Sequence, residues 1–169
     1  MLRLVVANLP AVLEDAQNRE ARQALAWADT LAGLRIANAG VTLPHGIGMT
    51  IGGYCPQVMH GETLAVTYPE FMRITFSYTP ECFAALGRIL DQTLKAVPDE
   101  AAAERSCEAL DRFLKQIGMW LSLEGMGVSW EEVEAIADHS RVLPDYNNNP
   151  RIADREQIYE IPKRSYRRS

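Results

Sequence analysis

Apolar residues recur at intervals of three and four along most of this chain, while runs of strict two-residue alternation are scarce. The first spacing lines up side chains on one stripe of a helix, and a half-buried strand needs the second, so the pattern points to an all-α architecture. Start and stop signals divide the segments. Thr79-Pro80-Glu81 offers an N-cap followed by proline at the first helical position, with Phe83, Leu86, Ile89, Leu90 and Leu94 inward and an end expected near Val97-Pro98. A helix from about Asp99 would turn Cys107, Leu110, Leu114 and Ile117 inward and Glu104, Arg105, Asp111 and Lys115 toward water, with Gly118 near its end. Ser129-Trp130-Glu131-Glu132 is a capping box opening a helix through Ala137, and Asp154-Arg155-Glu156-Gln157 opens the last one.

The first forty residues predict a short helix ended by Pro10, then a long one from Asn18 to Ala39 with Leu25, Thr30, Leu31, Leu34 and Ile36 in its inner stripe. Pro44 suits a helix start, and His60 begins another helix that Pro69 interrupts. The stretch Leu143-Pro144-Asp145-Tyr146-Asn147-Asn148-Asn149-Pro150-Arg151 is rich in turn formers and reads as a loop. The sum is a helical bundle of about seven or eight helices without internal repeats. A length of 169 residues suits one domain over 1–169, able to bury roughly 70% of its unfolded surface.

Charge excludes some partners. The formal net charge is -5, so no basic field attracts nucleic acid or anionic lipid. The one basic cluster, Lys163, Arg164, Arg167 and Arg168, reads as a solvated tail. Cys55, Cys82 and Cys107 are odd in number and lack C-x-x-C spacing. They read as reduced, mostly buried thiols. With no export signal and no long apolar segment, the expected location is cytoplasmic, away from the membrane.

Two of the three histidines, His45 and His60, each precede a glycine at either end of a glycine-rich apolar segment. Neutral imidazole is a common metal ligand, and glycine beside it lets backbone or substrate approach. Spacing alone favours ordinary structural histidines, because a separation of fifteen is not diagnostic, and zinc or iron needs at least three protein ligands. His139 follows Asp138 at a helix end, where a cation against the helix dipole is the simpler role. Glu62 is a conceivable carboxylate ligand, though a carboxylate in the first turn of a helix is more often simply stabilising. Gly46, Gly48 and Gly52 form a small-residue face for close approach of a neighbour.

In order along the chain, Leu31-Ala32-Gly33-Leu34-Arg35-Ile36-Ala37-Asn38-Ala39-Gly40, Pro44-His45-Gly46, Ile51-Gly52-Gly53, His60-Gly61 and Asn149-Pro150-Arg151 resemble the iron-dependent (group III) alcohol dehydrogenases. The resemblance implies the C-terminal helical domain of the dehydroquinate synthase-like and iron alcohol dehydrogenase fold. It implies His45 and His60 as two ligands of a catalytic Fe²⁺, or sometimes Zn²⁺. The remaining ligands, an aspartate and a histidine, and the turn that holds NAD(P), would belong to a preceding nucleotide-binding domain that this sequence does not include. Family members often carry a further histidine on the nicotinamide side, four residues after the first ligand. Met49 stands there, and a thioether relays no proton at neutral pH.

The implied activity is oxidation of an alcohol, or reduction of an aldehyde, with NAD(P). As an isolated chain, little or no turnover is expected, and a separate nucleotide-binding chain or a second copy is the implied partner. Two other functions compete. His60-Gly61-Glu62 also resembles a motif of dehydroquinate synthase-like lyases. A non-catalytic helical remnant would instead expose an apolar patch beside His45 and His60.

Overall fold

The structure is a computed structural model that describes residues 1–141 and 144–168. Among the described residues it contains eight α-helices and no strand, as the spacing predicts. The helices are α1 (Leu2–Glu14), α2 (Arg19–Ala39), α3 (Leu43–Tyr54), α4 (His60–Thr75), α5 (Pro80–Leu90), α6 (Asp99–Gln116), α7 (Trp130–His139) and α8 (Arg155–Ser165). None is long and apolar enough to cross a membrane.

The main core gathers one stripe from each of several helices. Leu43, Ile47 and Ile51 recur every four residues on α3 and are all fully buried. They meet Val66, Phe71 and Met72 of α4, Val133 and Ile136 of α7, and Ile158 and Ile161 of α8. Burying each such side chain contributes about 1.5–3 kcal/mol relative to leaving it in water. A smaller cluster of Ala84, Leu94 and Ala102 seals α5 against α6.

The N-cap signals hold in two of three places. Ser129 Oγ accepts from Glu132 N–H while Glu132 Oε2 accepts from Ser129 N–H. Asp154 and Gln157 exchange the same pair of bonds. Thr79 stands at the N-cap of α5, yet its side chain makes no capping bond and its buried Oγ1 has no partner.

Several expectations are corrected. Pro10 lies inside α1 and Pro69 inside α4, so neither ends its helix. Each proline removes one N–H from the ladder, a loss that the packing of α1 on α2 and the burial of Pro69 offset. α5 stops at Leu90, earlier than Val97-Pro98. Asp91 Oδ1 accepts from Thr93 N–H, starting a 3₁₀ turn over Gln92–Ala96 that still sends Leu94 inward. Asp111 is not on a wet face, because it pairs with Arg73 between α6 and α4. Leu34 and Ile36 are exposed on α2, whose fully buried residues are Ala21 and Ala28. Cys82 is exposed while Cys55 and Cys107 are buried. In the turn-rich stretch, Pro144–Asn148 forms a 3₁₀ turn, and Leu143 lies outside the described residues.

Candidate metal centre

The two histidines meet because α3 and α4 pack on each other and each histidine lies in the first turn of its helix. Pro44 sits in the first turn of α3, where its missing N–H has no intrahelical partner to lose. His45 follows on the flank opposite the Leu43, Ile47 and Ile51 stripe, so burying that stripe turns His45 outward. His60 is the first residue of α4, and Glu62 Oε2 accepts from Met59 N–H at 2.9 Å to close the helix start. His45 Nδ1 and His60 Nε2 lie 3.4 Å apart, with ring centroids at 4.6 Å and planes at 78°.

That separation tests the donor set against a metal. Two ring nitrogens at about 2.1 Å from a tetrahedral ion lie about 3.4 Å apart. The pair therefore fits two adjacent positions of one coordination sphere. Burial, then the neighbouring His45, lowers the His60 pKa from its ordinary value. Both effects favour the neutral ring, the form in which imidazole ligates.

Among the described residues the set is incomplete. No group of three or more His, Cys, Asp and Glu side chains able to hold a metal occurs among the described residues. Glu62 is engaged in its helix cap. His139 is elsewhere: it ends α7, and its Nδ1 lies 2.6 Å from Tyr54 Oη with the two rings stacked. Met49, one turn after His45, is 49% exposed, and Met59 beside His60 is 68% exposed.

Of the small-residue face, only part acts as expected. A Cβ at Gly48 would fall 2.6 Å from Thr63 Oγ1, whereas one at Gly52 would meet nothing within 4 Å. Sequence reasoning missed two contributors to the site's frame. Asn149 reaches Leu43 N–H at the start of α3, and Thr63 Oγ1 donates to His60 C=O at 2.8 Å. Thr63 stands three residues after His60, a spacing that could have suggested a bond within the first turn.

The fold is thus an all-helical domain that brings two imidazoles together in the first turns of two packed helices. Residues 1–166 match the Fe-containing alcohol dehydrogenase family, C-terminal, and the chain belongs to that family. It is 30% identical over 162 residues to the NAD-dependent methanol dehydrogenase of Bacillus methanolicus, covering 96% of this chain and 42% of that protein. It is 28% identical over 167 residues to the 1,3-propanediol dehydrogenase of Klebsiella pneumoniae, covering 98% and 42%. The crystal structure of a 1,3-propanediol oxidoreductase superposes with a TM-score of 0.92 at 26% identity, covering 98% of this chain and 43% of that one. The chain thus spans about two fifths of the length of the curated relatives it matches.

Proposed function

We propose that residues 1–169 form a single helical domain, the metal-binding part of an NAD(P)-dependent, iron-type alcohol dehydrogenase, with His45 and His60 as two of the metal's ligands. The observation that carries this reading is the 3.4 Å approach of their ring nitrogens. Family membership and the relatives' dehydrogenase activities support the reaction class, with a small alcohol or aldehyde as substrate.

When bound, Fe²⁺ or Zn²⁺ would supply Lewis acidity toward the alcohol or aldehyde oxygen, beside a nicotinamide that exchanges hydride with the carbon. His45 and His60 would donate ring-nitrogen lone pairs, and burial together with the neighbouring His45 favours the neutral, ligating form of the His60 ring. Met49 lies on the His45 flank of α3 and carries no titratable proton, so this chain moves no proton at residue 49. The remaining donors and the nucleotide site fall to a part of the enzyme beyond these residues, supplied by a separate chain or a longer one. The exposed Met49 and Met59 favour such a covering surface. Three free cysteines suit a reducing, cytoplasmic setting.

Anaerobic assay of the purified chain with Fe²⁺, NAD(P)H and short aldehydes is the test. With two of the ligands present, we expect at most weak Fe²⁺ binding, which His45→Ala or His60→Ala abolishes, and little or no turnover. Metal binding indifferent to both substitutions would refute the ligand assignment, and rapid cofactor oxidation would refute the need for a further part. Co-purification with a nucleotide-binding chain, or a concentration-dependent dimer, tests the partner.

A further inference from the structure

The helices that carry His45 and His60 approach closely at Gly48. A Cβ built on Gly48 would lie 2.6 Å from Thr63 Oγ1, 3.3 Å from Leu64 Cδ2 and 3.5 Å from His60 Cε1. The first distance is far inside van der Waals contact, and all three neighbours belong to the first turns of α4. Thr63 has little freedom to withdraw. It is fully buried, its Oγ1 donates to His60 C=O at 2.8 Å, and its own C=O accepts from Thr67 Oγ1 at 2.8 Å. A side chain at residue 48 would therefore displace the backbone that carries His60, three residues before Thr63.

We propose that Gly48 is a positioning residue for the histidine pair. Its missing Cβ sets the gap between α3 and α4, and that gap sets the separation of His45 Nδ1 from His60 Nε2. This rests on the reading of the two imidazoles as metal ligands. Helix propensity alone favours alanine at an interior helical position. The glycine is kept where contact is tight, and Gly52, one turn on, meets open space. The two positions therefore separate close approach from general flexibility.

The test is titration of the full chain with Ni²⁺, a redox-stable probe that imidazole binds well. The two imidazoles can chelate Ni²⁺ with water in the remaining positions, so the wild-type protein should bind one Ni²⁺ weakly at high protein concentration and His45→Ala should lose it. Gly48→Ala should weaken binding by about 10-fold to 100-fold, the range seen when support around a ligand is disturbed. Gly52→Ala should leave affinity unchanged. Adding Thr63→Ala to Gly48→Ala removes the atom in the way and should restore binding to near the wild-type level. A glycine with a merely structural role would lower the denaturation midpoint while the folded variant bound Ni²⁺ as before, and that result overturns the proposal. Should Gly48→Ala fail to fold, the double variant decides: folded with binding supports the proposal, folded without binding overturns it. Absence of Ni²⁺ binding by the wild-type chain overturns the ligand reading and this inference together. Binding shared equally by wild type and Gly48→Ala overturns this inference alone.

Discussion

Asn149 Oδ1 accepts a hydrogen bond from the Leu43 backbone N–H at 2.9 Å, joining residues 106 positions apart. Asn148 Nδ2 reinforces the junction by donating to Val41 C=O at 2.9 Å. Together they tie the Asn149-Pro150-Arg151 stretch to the start of the helix that holds His45. The Leu43 N–H is one of the four at a helix start with no intrahelical partner, and it is fully buried, so a distant side chain supplies the cap that Thr42 does not.

Asn149→Ala leaves that donor without a partner and should destabilise the fold by about 1–3 kcal/mol. Asn149→Asp keeps an oxygen acceptor at the same place and should lose less. Denaturant unfolding of both variants checks the order, and equal losses would show that the bond to Leu43 contributes nothing.

The α3 and α5 glycines should respond in opposite directions to alanine. At Gly52 nothing lies within 4 Å of the added Cβ, so Gly52→Ala should stabilise by about 0.5–1 kcal/mol through helix propensity. At Gly87 the Cβ would meet Ser106 Cβ at 2.9 Å and Ala102 C=O at 3.1 Å. Forcing α5 from α6 there should destabilise by about 1–3 kcal/mol. Thermal midpoints with the same sign of shift would contradict this account.

Arg168 is a buried clasp rather than a tail residue. Its side chain is 4% exposed, donates to Val66 C=O at 2.6 Å and Leu121 C=O at 3.1 Å, and covers the Trp120 ring at 4.5 Å. Glu70 lies 3.7 Å away. Arg168→Ala should lower stability by about 3 kcal/mol, since the buried carboxylate and two carbonyls lose a partner. Arg164→Ala, an exposed pair with Glu160, should change it by less than about 1 kcal/mol. Comparable losses in the two variants would remove the distinction.

The three thiols should separate cleanly in labelling. Burial pushes the Cys107 thiol up to about 11, and burial together with Glu132 raises Cys55. Cys82 is exposed. A thiol reagent at pH 8 should modify one cysteine fast in the native protein and three after unfolding. Mass mapping to Cys107 first would contradict the burial.

Acid should weaken the fold in a predictable direction. The Ser129 backbone N–H and hydroxyl hold the Glu132 carboxyl below its ordinary range, and Arg155 does the same for Asp138. Both folded values are depressed, so the stability they contribute is full above the ordinary carboxylate range and is lost as pH falls through the folded values. The melting temperature should decline from about pH 5 toward about pH 3. Glu132→Gln should flatten that decline, and an unchanged slope would rule out the capping box as a contributor.

The sequence by itself determined the helical class, the two capping boxes and the candidate ligands, because periodicity, N-caps and proline at a helix start act within one or two turns. It determined the family too, through motifs spread along the chain. It misjudged Pro10, Pro69 and Asp111, where packing between helices outweighs a local rule. Only the tertiary structure decided that His45 and His60 face each other, that His139 turns to Tyr54 instead, and that Arg168 is enclosed. Those outcomes depend on how closely helices cross, which side chains such as Thr63 and Asn149 and the missing Cβ of Gly48 govern. Residues far apart in the chain meet at such crossings, and no local pattern encodes their distance.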